Sequence, residues 1–198
     1  MVEESSLTKS NYIHLTSNVI EDSSNPGAQS SQKLVSNEDI INAISLNYEE
    51  IIKENKELVD FVVKDKFYLR RVPNITLSEY ITYIMEHTNI NISTIIIAII
   101  YIDMFCEKYK YVLCFNNIYL MFLTACLLSI KFNEDKYISS EFYAEICEIP
   151  VEFLNELEKY LCLKLRYSLY VEDTEYNSYY NYLANYIPEK KAKEEMDA

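Results

Sequence analysis

A single glycine, Gly27, in 198 residues is the feature that most restricts what this chain can fold into. Glycine enters left-handed backbone conformations without steric cost, so tight hairpins and phosphate-cradling loops are built around it. Rossmann and P-loop enzymes need several glycines at fixed spacing. A chain with one is directed toward helices. Apolar residues make up 49% of it, the share of a globular protein. The length suits one domain with tails, around a core of roughly 110–150 residues.

The formal charge of −13 constrains the partners. An acidic surface repels phosphate backbones, so nucleic acid is not expected, whereas a basic protein partner is favoured. Two histidines, His14 and His87, and five cysteines without a C-x-x-C pair leave no basis for a metal site or cofactor. Cys106, Cys114, Cys126, Cys147 and Cys162 read as buried free thiols of an intracellular protein, in the cytoplasm or nucleus. The apolar run Ile95–Ile102 is broken by Asp103, short of the about 20 residues that span a bilayer. Glu3 and Glu4 stand where a signal peptide carries positive charge, so no membrane association is expected.

Along the chain, residues 1–37 are rich in Ser, Asn and Gln and read as a disordered tail. Ser36 with Asp39 starts a helical extension over 38–66, with a bend near Asn47. Thr76-Leu77-Ser78-Glu79 forms a capping box that opens a helix to about His87. A second helix runs from near Asn91 to Tyr109, and a third over 116–133 that is apolar on all sides and so must be enclosed by the others. A short fourth fits Ser140–Glu148. Pro150 opens a fifth with the stripe Leu154, Leu157, Leu161, Leu165. After an extended piece at 169–171, a further helix covers 171–188, and 189–198 is a charged, solvated tail. The fold class is all-α: five helices around a central buried one, with flanking N- and C-terminal helices.

Three segments on these helices carry a family resemblance. Tyr101-Ile102-Asp103 resembles the Y-I-D-R-F signature closing the second helix of a cyclin box. Ile130-Lys131-Phe132-Asn133-Glu134 resembles the K-F-x-E ending the central helix, and Asn155–Leu161 the N-x-L-E-x-x-L opening the fifth. The entry Val72–Thr76 with Tyr80-Ile81 is similar to single-box PHO-type (P- or U-type) cyclins, as are Tyr137–Tyr143 and Glu148–Pro150 in outline. The resemblance covers about residues 68–170. Each segment alone is weak; in order, on the expected helices, they are specific.

The resemblance implies a non-enzymatic subunit that binds and activates a cyclin-dependent protein kinase, with no small-molecule substrate. It implies that Lys131 and Glu158 lie side by side on the kinase-facing surface and bond backbone groups beside the kinase αC helix. It places Leu128, Phe132, Tyr167 and Leu169 against that helix. Two departures mark the chain as divergent. Tyr83 and Met104 replace arginines, so the aspartate at Asp103 needs donors other than arginine, backbone N–H groups or the Tyr83 hydroxyl. Glu148 also stands where the subfamily has glycine. Two rival readings are an adaptor of the same fold without kinase activation, and a helical-bundle enzyme using paired acids such as Glu134 and Asp135. The second has no nucleophile or ligand spacing to support it. An inhibitory effect on the kinase is a further variant, and no R-x-x-L destruction box occurs in the tail.

Overall fold

The computed structural model describes residues 35–135 and 139–196. Nearly all of the expected 1–37 tail, and Tyr137, lie outside the described residues. The described residues form seven α-helices: α1 (Asn37–Glu54), α2 (Leu77–Thr88), α3 (Ile92–Tyr109), α4 (Phe115–Asn133), α5 (Ser140–Ile146), α6 (Val151–Lys164) and α7 (Asp173–Met196). A 3-10 helix, Asn55–Phe61, follows α1, and no strand occurs among the described residues. This is the all-α class the sequence predicts, with α2–α6 as the five-helix unit and α1 and α7 flanking it.

Capping boxes set the starts of α1, α2 and α4. At α1, the Asp39 amide donates to Ser36 Oγ at 3.1 Å and the Ser36 amide to Asp39 Oδ2 at 3.3 Å. At α2, the Glu79 amide donates to Thr76 Oγ1 at 3.2 Å and the Thr76 amide to Glu79 Oε2 at 2.8 Å. Each box satisfies two orphan N–H groups and contributes about 1 kcal/mol. α6 begins one residue later than expected, with Pro150 as its N-cap rather than inside the first turn.

Helix ends show how a chain this poor in glycine turns. Asn89, Lys110, Glu148, Arg166 and Tyr167 all hold φ between 50° and 59°, in the left-handed region. A non-glycine residue there costs about 1–2 kcal/mol. Compensation is local: Tyr111 N donates to Cys106 O, Ile149 N to Ala144 O and Tyr167 N to Cys162 O, each at 3.0 Å, which closes the last turns of α3, α5 and α6. Glu148, standing where the resemblance expects glycine, adopts the conformation glycine would supply.

α4 is the core, and every residue from Asn117 to Ile130 is buried. Its polar members are satisfied: Thr124 Oγ1 donates to Leu120 O at 2.6 Å, Ser129 Oγ to Thr94 O at 2.9 Å and Asn117 Nδ2 to Val112 O at 2.9 Å. Its length and apolarity would suit a bilayer, but 78% of the apolar window is buried inside the bundle.

Three expectations need correction. α1 does not bend at Asn47, which is buried inside an unbroken helix and donates to Tyr182 Oη at 2.6 Å. That tertiary bond outweighs the weak helix preference of Asn. The change of pitch comes at Asn55, whose Nδ2 donates to Leu113 O at 3.1 Å. α7 continues past residue 188 to Met196, through a stretch rich in the strong helix formers Ala, Lys and Glu expected to be a tail. Finally, all five cysteines are free, but only Cys106 and Cys126 are fully buried; Cys114, Cys147 and Cys162 are half-buried.

Candidate functional site

Lys131 lies in the last turn of α4 and Glu158 in the middle of α6. Leu154, Leu157 and Leu161 bury one face of α6 in the core, which turns Glu158 toward the end of α4. The Lys131 ammonium meets Glu158 Oε2 at 2.7 Å, with the two side chains 25% and 19% exposed. It also donates to Ser140 Oγ on α5 at 2.8 Å, so one cation joins α4, α5 and α6. The resemblance pointed to the pair; Ser140 as its third member carried no sequence signal beyond a helix start.

An ammonium has three N–H donors, and two are used here. Among the described residues nothing occupies Glu158 Oε1. The pair therefore has one donor and one acceptor left for further charge-assisted bonds. Mutual neutralisation lets both be covered without leaving a lone buried charge.

The expected apolar surround is only partly present. Phe132 is 51% exposed and Tyr167 is 67% exposed, whereas Leu128 and Leu169 are buried at 4% and 8%. Leu128 shares a helical face with Phe132 but sits one turn deeper, inside the core cluster. Leu169 turns inward between two outward tyrosines. Phe142, on α5, and Tyr170, beyond α6, are also exposed, at 42% and 69%, though neither stood out in the sequence.

The signature residues sit behind this surface. Asp103 is buried, and Tyr48 of α1 donates to its Oδ1 at 3.4 Å while Tyr179 of α7 donates to its Oδ2 at 3.0 Å. Burial, then the Asp103 charge, pushes both tyrosines well above their ordinary pKa, so both hydroxyls stay protonated as donors. The Tyr83 hydroxyl does not reach Asp103. It donates to Ile146 O at 3.2 Å, tying α2 to α5, because α2 lies against α5 while Asp103 faces α1 and α7. Met104, at the second expected arginine, is half-buried against the core. The Tyr101 hydroxyl is buried and donates to Leu169 O at 2.6 Å.

Glu134, one of the paired acids, caps α4 and its Oε1 accepts from Thr94 Oγ1 and from the Asn91 amide at the start of α3. A carboxylate at a helix N-terminus is favoured by the helix dipole, so this acid has a structural occupation. No His, Cys, Asp and Glu cluster suited to a metal exists among the described residues.

The curated proteins this chain resembles carry cyclin names. The chain is similar to Cyclin-U2-1 of Arabidopsis thaliana, 25% identical over 114 residues, which cover 57% of this chain and 51% of that protein. It is similar to Cyclin-U4-3 of Arabidopsis thaliana, 27% identical over 141 residues, 71% of this chain and 64% of that protein. Cyclin-P3-1 of Oryza sativa subsp. japonica is 24% identical over 132 residues, 65% and 56% of the two chains. The chain spans about half to two thirds of the length of these curated relatives. The family model for Cyclin matches residues 10–169, wider than the 68–170 seen from motifs, and on that match the chain belongs to the cyclin family.

Proposed function

We propose that this cyclin binds a cyclin-dependent protein kinase and activates it by docking on the kinase αC helix. Membership of the family supports a regulatory rather than an enzymatic role. The observation that carries the finer reading is the Lys131–Glu158 pair at 2.7 Å, half-buried, bridged to Ser140 and adjoined by the exposed Phe132 next to Lys131 on α4. A kinase without its cyclin holds αC turned outward, so the Lys–Glu ion pair that orients the ATP phosphates is not assembled. A surface that grips αC only in its inward position biases that equilibrium. Shifting a mostly inactive kinase to a mostly active one requires a preference of about 5 kcal/mol. An interface of about 1,500–2,500 Å² with aromatic anchors is of the size that supplies it. The net charge of −13 favours encounter with a basic partner. The reading places the protein where such kinases work, in the cytoplasm or nucleus.

The test is a pull-down of purified cyclin-dependent kinases with the wild-type chain and with Lys131→Ala combined with Glu158→Ala. The double variant loses the kinase while its helicity by circular dichroism matches wild type. Undiminished binding by the double variant refutes the assigned surface. Binding with no gain in kinase activity favours the adaptor reading instead.

A further inference from the structure

The segment between α6 and α7 is held in an unusual way. Arg166 and Tyr167 are consecutive left-handed residues with φ of 58° and 59°, and neither is glycine. Three bonds then follow in close succession: Arg166 N to Leu163 O at 3.0 Å, Ser168 N to Leu165 O at 3.1 Å and Leu169 N to Tyr167 O at 3.1 Å. Leu169 is driven into the core, and the tyrosines on either side, Tyr167 and Tyr170, remain 67% and 69% exposed. Large aromatic rings left in water on a constrained backbone are what a binding anchor requires, since tyrosine dominates interface energetics and rigid anchors lose little entropy on docking.

One buried hydroxyl fastens this strap to the rest of the site. Tyr101 Oη, from α3, donates to Leu169 O at 2.6 Å, and Asn133 Nδ2, two residues beyond Lys131 on α4, approaches it at 3.5 Å. Burial and, more weakly, nearby Cys162 push the Tyr101 hydroxyl up, while the Asn133 contact opposes them. Cys162 is one turn beyond Glu158 on α6, and its carbonyl accepts the Tyr167 amide. The end of α4, the second half of α6 and the strap therefore converge on a single side chain of α3.

We infer that Tyr101 is a positioning residue of the partner-binding surface: its hydroxyl fixes the strap so that Tyr167 and Tyr170 stand as paired anchors beside the Lys131–Glu158 pair. This rests on the kinase reading above and adds to it Tyr170 as a contact and Tyr101 as the residue acting through the strap. Tyr101→Phe removes one oxygen, keeps the ring that fills the core, and leaves the Leu169 carbonyl without its buried donor.

The experiment uses the full chain and a purified cyclin-dependent kinase that the wild type retains. Tyr101→Phe is expected to keep wild-type helicity, to raise amide hydrogen exchange over 166–171, and to weaken kinase affinity about tenfold. The decisive reading is the coupling. In a background of Tyr167→Ala with Tyr170→Ala, adding Tyr101→Phe changes affinity no further, because the anchors it positions are gone. A merely structural tyrosine lowers affinity equally in both backgrounds, and that outcome overturns the inference. So does unchanged affinity of Tyr101→Phe in a protein whose Lys131→Ala variant binds weakly, a result that leaves the kinase reading standing. If no kinase binds wild type, the kinase reading fails, and this inference with it.

Discussion

Replacing Asp103 by alanine tests the frame on which the site is mounted. Asp103 is 2% exposed, and its two oxygens accept hydroxyls from helices on either side, Tyr48 on α1 at 3.4 Å and Tyr179 on α7 at 3.0 Å. Tyr48 is wholly buried and Tyr179 nearly so. Removing the carboxylate leaves two phenolic hydroxyls in the core with a lost acceptor, each costing about 1–3 kcal/mol. The longer Tyr48 bond belongs at the low end of that range and the Tyr179 bond nearer the middle, so the sum is about 3 kcal/mol. In a domain of this size that lowers the melting temperature by roughly 6–12 °C, and it is a large share of a stability of about 5–15 kcal/mol. Asp103→Asn, which keeps the volume and one acceptor, is expected to cost about 1 kcal/mol. Urea unfolding followed by circular dichroism supplies the free energies, and hydrogen exchange reports whether α7 amides open first in the alanine variant. A loss below about 1 kcal/mol for Asp103→Ala, or a Tyr179→Phe variant as stable as wild type in which Asp103→Ala costs as much as before, refutes the argument that the tyrosine–aspartate node joins α1, α3 and α7.

Two further outcomes follow from burial of titratable groups. Tyr48, Tyr80 and Tyr179 have their pKa pushed well above the ordinary tyrosine value, chiefly by burial. The folded value exceeds the unfolded one, so their contribution is fully present below about pH 10 and is lost as pH rises beyond it. Phenolate absorbance from these three should accompany the loss of helicity in an alkaline titration; ionisation in a still-folded protein contradicts it. The Cys147 thiol is pushed up to about 11 by burial, partly offset by the Tyr80 hydroxyl. Its alkylation by iodoacetamide at mildly alkaline pH should run on the order of 100-fold slower than that of a free thiol, measured by peptide mass mapping, and a rate matching glutathione disproves the protection.

The starts of α1 and α2 were legible in the chain itself, because the forces that set them act within about one turn. Ser36 with Asp39 and Thr76 with Glu79 form their boxes from residues three apart. The all-round apolarity of α4 required a position at the centre, whatever its neighbours. Lys131 and Glu158 could be picked out only through their resemblance to a family pattern, and their meeting depends on how α4, α5 and α6 stack.

Other features had no local signal. Asp103 is served by tyrosines 55 residues before it and 76 after it, and nothing near either one announces the pairing. Leu128 and Phe132 have the same chemistry on the same helical face, yet one is core and the other surface, since depth beneath α4's neighbours separates them. The scarcity of glycine narrowed the chain to helices, but it did not say where left-handed turns would fall. Tertiary packing chose Glu148, Arg166 and Tyr167 for them, because a compact bundle must reverse direction within a few residues and the burial of Leu169 and its neighbours outweighs the local backbone cost.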